Sequence, residues 1–182
     1  MGSMLTRAID EAGFSDAKRR VLAGEALSPA ELERLRGADL LVVAGLADLV
    51  RKQFRGDEVR LIASCRPCEP AVCVFAAEAD PGEGVGTTGA DVLRSIALKR
   101  LQIPRDQALA VSLDELGVEL AQTALVFGAD VLFGDLGGKR TLPLVDGPDA
   151  RRAELTGLIE RSGRRVVFDN VARGASDLEQ RS

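Results

Sequence analysis

The chain has 182 residues, 46 % of them apolar and 29 % charged, with a net charge of −4, the balance of a soluble globular protein with one compact core. That acidic balance argues against nucleic acid, which needs a basic face, and no apolar run reaches the roughly 18 residues that cross a bilayer. The absence of His, Tyr and Trp removes the commonest general base, the commonest neutral metal ligand and most stacking platforms, so any chemistry falls to carboxylates, Lys, Arg, hydroxyls, three Cys or a bound cofactor.

The opening MGSMLTRAIDEAGF has no basic segment followed by an apolar one, so no secretory leader is expected and the chain is expected to be cytoplasmic. Residues 10–22 read as a helix ending near Gly24. LSPAELERL supplies a cap at Ser28, Pro29 at the first helical position and Glu31 for a capping box. Leu40, Leu41, Val43, Ala44, Ala47 and Val50 recur at helical spacing, with Lys52 and Arg55 before the stop at Gly56. Residues 4–56 therefore form a helical segment, expected as three helices.

From residue 57 the character changes. EVRLIAS (58–64) and AVCVFAA (71–77) are short runs of β-formers. A glycine-rich stretch follows, and Thr88 caps a helix over 89–101 with Asp91 in its first turn. ALAVSL (108–113) is a strand, and Ser112 with Glu115 boxes the next helix, which runs to Phe127 and stops at Gly128. ADVLFGD (129–135) is a strand, DARRAELTGLIERSG an amphipathic helix and RRVVFDN a last strand; residues 172–182 form a polar tail. Helix and strand alternating in this way over 57–171 require a parallel sheet with right-handed crossovers. The expected fold class is α/β, with the N-terminal helices packed on a reduced, partial barrel-like sheet of four or five mostly parallel strands.

All three cysteines fall in SCRPCEPAVC. Cys65, Cys68 and Cys73 are spaced closely enough for an iron–sulfur site. Cys65 and Cys68 alone have the spacing that wraps zinc, whose fourth ligand would come from Glu69, Glu78, Asp80 or a second subunit. The plain alternative is that Cys73 is a small apolar strand residue and the other two have no role. The stretch DPGEGVGTTG matches G-x-G-x-x-G at Gly84, Gly86 and Gly89, but it stands too far from the preceding strand for a dinucleotide turn and reads as a flexible connection. In FGADVLFGDLGGKR, Asp130 begins a strand and Asp135 ends it; ligands of parallel sheets bind at strand carboxyl ends, so Asp135 and Lys139 are ligand candidates beside Asp130, against the alternative of a surface ion pair. Leu120, Ala124, Leu125 and Phe127 read as a core stripe with Gln122 facing outward.

Longer segments carry a resemblance. VLAGEALSPAELERLRGADLLVVAGLADLVRKQFRGDEVRLI resembles the N-terminal part of the radical-SAM enzymes of the futalosine route to menaquinone, aminofutalosine synthase and dehypoxanthine futalosine cyclase, and of the related FO synthase subunit. DVLRSIALKRLQIP and ELGVELAQTALVFGADVLFGDL look like the last β/α units of those barrels, and AELTGLIERSGRRVVFDN like their final helix and strand. The barrel middle is missing, since a complete β/α barrel takes about 250 residues. The family's C-x3-C-x2-C stands here as C-x2-C-x4-C, and its glycine-rich SAM-binding segment has no counterpart. The resemblance implies a shortened relative. If the cluster persists, Cys65, Cys68 and Cys73 would hold it, SAM would take the open iron, and Asp130 or Asp135 would contact substrate. If it does not, the fold serves a non-catalytic interaction or scaffold role. A shortened barrel leaves a sheet edge open, so either the N-terminal helices cover it or two chains pair there, and a homodimer or a protein partner is expected.

Overall fold

The computed structural model describes residues 2–63, 72–75, 88–134 and 148–169. The expected α/β architecture is borne out, with helices on a partial sheet of five parallel strands. Four helices open the chain: α1 (Gly2–Glu11), α2 (Ser15–Leu22), α3 (Pro29–Arg36) and α4 (Leu40–Arg55). After them come β1 (Glu58–Ile62), β2 (Val72–Val74), α5 (Gly89–Gln102), β3 (Ala108–Ser112), α6 (Leu113–Ala124), β4 (Val131–Phe133), α7 (Pro148–Arg161) and β5 (Arg165–Asp169).

The expected helix over 10–22 is two helices. Gly13 takes φ +79°, a conformation that ends α1 and that a side chain would resist, and α2 starts two residues later. The expected caps form. Ser28 Oγ accepts from the Glu31 N–H at 3.2 Å while the Glu31 carboxylate accepts from the Ser28 N–H at 2.7 Å. Thr88 and Asp91 make the same reciprocal pair at the start of α5. At α6 only half of the expected box is present, the Ser112 hydroxyl accepting from the Glu115 N–H at 3.2 Å. This helix is kinked at Gly117, where φ is +74°.

The strand order is β2-β3-β4-β1-β5. The first strand thus lies near one end, between β4 and β5, with Leu61 opposite both Leu132 and Phe168. The connections β2–α5–β3, β3–α6–β4 and β4–α7–β5 all step in one direction along the sheet. Right-handed crossovers that step one way place their helices on one face. A single core fills that face: Leu46 and Val50 of α4, Ile96 of α5, Leu125 after α6 and Ile159 of α7 pack with Val59, Leu61, Leu109, Val111 and Leu132 of the strands. The opposite face carries Ile62, Val72, Ala108, Ala110, Val131 and Phe133, a separate apolar cluster to which none of the described helices contributes. The N-terminal helices therefore cover a face rather than an edge: α4 packs on α5, α1 and α2 pack on α4, and α3 packs on α5. Among the described residues the sheet edges are β2 and β5. Among the described residues no helix is long and apolar enough to cross a membrane.

Candidate functional site at the amino edge of the sheet

The densest group of described charges lies where the parallel strands begin. Asp48, Arg51 and Arg55 recur on α4 at spacings of three and four residues, so a largely apolar helix presents one charged stripe, with Lys52 and Gln53 beside it. Arg100 comes from the last turn of α5, Asp130 stands one residue before β4, and Arg164 stands one before β5. Parallel strands share their starting edge, so these positions meet.

Asp130 is the centre of the first half of the network. Its backbone is held on both sides, its N–H donating to Leu109 O at 3.1 Å and its carbonyl accepting from Arg60 N–H at 3.0 Å. Oδ1 accepts from the Leu109 N–H at 2.6 Å and from Arg100 Nη2 at 3.2 Å; Oδ2 accepts from Arg55 Nε at 2.7 Å. Arg100, with no exposed surface, spends its other donors on Gly128 O and Gln107 O, both at 2.9 Å. Gly128 makes room for this: at φ +98° a Cβ would lie 2.7 Å from Arg100 Cγ. Arg55 also donates to Asp106 O at 2.9 Å.

Asp48 centres the second half. Its Oδ1 accepts from Arg51 Nε at 3.0 Å, Arg51 Nη2 at 2.9 Å and Arg164 Nη2 at 2.9 Å. Arg51 Nη1 donates to Gly56 O, and Arg164 Nη1 to Ala129 O at 3.4 Å. Burial pushes the Arg164 guanidinium down to about 10, with Arg51 acting the same way and Asp48 against it. Burial also lowers Arg100, and Asp130 opposes that shift. Both arginines are cations at neutral pH. A buried carboxylate stripped of water is tolerable only when donors replace the water, and Asp130 meets two guanidinium groups and a backbone N–H, while Asp48, 26 % exposed, keeps part of its water beside Arg51 and Arg164. Chemically this is a clamp: it ties α4, α5 and the starts of β3, β4 and β5 together, and its donors point at acceptors of the same chain.

The sequence candidates separate. Asp130 was a ligand candidate; the structure buries it at the amino edge, opposite the strand ends where parallel sheets bind ligands, with its carboxylate taken up by Arg55, Arg100 and Leu109. Cys73 is a free thiol in the middle of β2, opposite Leu109 and half-buried against the helix-side core. Cys65, Cys68, Asp135 and Lys139 lie outside the described residues, as do Glu69, Glu78 and Asp80. Among the described residues no group of three His, Cys, Asp or Glu side chains is arranged to hold a metal ion. Of the glycine-rich stretch only Thr88 and Gly89 are described, and Thr88 caps α5. The expected core stripe holds: Ala124, Leu125 and Phe127 are buried, Leu120 is half-buried against the same core and Ala121 joins them, while Gln122, expected to face outward, donates to Leu158 O of α7 at 3.5 Å.

The clamp escaped the sequence reading except at Asp130. The available signal was the Asp48, Arg51, Arg55 stripe inside an apolar helix; nothing local links it to Arg100 or Arg164. No family model matches the chain, and no curated protein or solved structure matches it.

Proposed function

We propose that this chain is a non-catalytic interaction or scaffold protein built on a truncated radical-SAM-like sheet. The observation that supports this reading is the clamp: Asp130, the most buried carboxylate described, is wholly engaged by Arg55, Arg100 and a backbone N–H, which leaves it no part as an acid, a base or a ligand. A second reading is supported by the position of Cys65 and Cys68, which follow closely on the carboxyl end of β1, the side on which parallel sheets bind ligands. On that reading the chain holds an iron–sulfur cluster or zinc and acts in or near menaquinone biosynthesis, with SAM as a candidate ligand.

Metal and acid-labile sulfide analysis of protein purified without oxygen separates the two, run beside the combined Cys65→Ser, Cys68→Ser, Cys73→Ser variant. The interaction reading expects no stoichiometric metal before or after iron–sulfide reconstitution. It also expects the variant to melt near the parent, less a small loss where Cys73 packs in the core. About four irons with matching sulfide per chain, absent from the variant, would overturn it in favour of the cluster; one bound zinc would do so in favour of a metal clip.

A further inference from the structure

We infer that β5 is a self-complementary edge through which two copies of this chain pair antiparallel. This deepens the interaction reading by naming the partner as a second copy. Among the described residues, strand order leaves β5 at the end of the sheet, and it is exposed along most of its length, with Val167 at 38 % and Phe168 at 41 %. Native edge strands are normally blunted by charged side chains, proline or a bulge. RVVFD has no Pro, carries charge only at its two ends, Arg165 and Asp169, and runs in unbroken register with β1 from Glu58–Arg165 to Ile62–Asp169.

The hydrogen-bond parity of β5 selects one register. The Arg165 N–H donates inward to Asp57 O. Backbone groups alternate sides along a strand, so those of Val166 and Phe168 point outward. Antiparallel strands join through residues that exchange both hydrogen bonds. Pairing Val166 with Phe168 of the second copy, and Phe168 with its Val166, satisfies every outward N–H and C=O of these two residues. The other in-phase registers, Val166 on Val166 or Phe168 on Phe168, satisfy only one residue per copy within the strand. The favoured register sets Val167 against Val167 on the two-fold axis, and Arg165 against Asp169 at both ends. These fall at the non-hydrogen-bonded positions, where side chains approach most closely. Arg165 already pairs with Glu58 on its inner side. Val166 and Phe168 lie on the helix side, Phe168 with Arg152 of α7 over its ring at 5.7 Å. A two-fold axis perpendicular to the sheet keeps both helical layers on one face and makes one continuous sheet.

The test is sedimentation velocity or light scattering on the full chain up to about 100 µM, above the micromolar range in which small edge contacts dissociate. The expected mass is twice 19.3 kDa. Val167→Lys, at an exposed position, places like charges on the axis and should weaken the dimer about tenfold or more. Arg165→Asp and Asp169→Arg should each be weaker alone, and mixing the two variants should restore pairing as a heterodimer. Unchanged thermal unfolding of each variant as a monomer keeps loss of the dimer distinct from loss of the fold. A monomer at all concentrations, or a dimer indifferent to Val167→Lys and to mixing, overturns the inference. Neither result bears on the metal measurement that tests the function.

Discussion

Two regions of this molecule use the same chemistry under opposite conditions. At the amino edge of the sheet, Arg100 and Asp130 pair with 0 % and 3 % of their side chains exposed. On the surface, Arg165 pairs with Glu58 at 74 % and 50 % exposure, and Arg7 with Glu11 at 80 % and 62 %. The contacts are alike in kind and differ in what surrounds them. Water screens the exposed pairs and competes for both partners, so each contributes about 0–1 kcal/mol. At the amino edge the cost of removing water has already been met, and neither partner can be removed without stranding the other. The lesson is that an ion pair's weight in this fold follows from its burial rather than its length.

The largest effect should come from breaking that asymmetry directly. Asp130→Ala leaves Arg100 buried without its carboxylate and the Leu109 N–H without its acceptor, and should cost about 3–5 kcal/mol in denaturant unfolding. The double change Asp130→Leu with Arg100→Met should recover part of the loss, because it removes the fully buried guanidinium as well; Arg55, 27 % exposed, can turn to water, while the Leu109 N–H stays without its acceptor. A single-variant cost below about 1 kcal/mol would mean that water reaches the clamp and that the contrast between the regions is false.

Gly128→Ala sharpens the same contrast without touching a charge. The positive φ alone costs about 1–3 kcal/mol, and the new Cβ meets Arg100 Cγ and Cβ at 2.7 and 2.8 Å, so the guanidinium must also shift. Thermal unfolding should fall accordingly, and by about as much in an Arg100→Met background, because methionine keeps the Cβ and Cγ that the new methyl meets.

An intermediate case is the cap of α3. Ser28→Ala should cost about 1 kcal/mol. The Ser28 hydroxyl and N–H, with Arg20 adding to them, hold the Glu31 carboxyl below its ordinary value of 4.5. A carboxyl lowered in the folded state adds stability that is fully present above that ordinary value and is lost as pH falls through the folded one. Unfolding free energy should therefore decline below about pH 4.5, and less steeply in Glu31→Gln. Equal acid sensitivity in parent and variant would remove the cap from the account. The smallest effect belongs to Glu58→Gln, expected below about 0.5 kcal/mol in a monomer and erased by added salt.

How much of this was legible depended on reach along the chain. The caps at Ser28, Thr88 and Ser112 could be read because each joins residues three apart, and the strand–helix alternation from β2 onward announced a parallel sheet. The break at Gly13 had a local signal in the glycine itself, whose positive φ ends α1. Cys73 was readable as a strand residue but not as a resident of the helix-side core. Asp130 stood out as a charge at the start of a strand. Its partners could not be read, since Arg55 and Arg100 lie 75 and 30 residues away.

The sequence by itself determined the elements, their caps and the α/β class, because hydrophobic period and capping act over one or two turns of chain. The tertiary structure alone decided that β1 inserts between β4 and β5, that every connecting helix falls on one face, and that six charges from four parts of the chain close into a clamp. Those outcomes depend on which edges pair and which groups lose water together. That is settled where Asp130, Arg51, Arg100 and Arg164 lose water together, a cost no local stretch carries until the sheet is assembled.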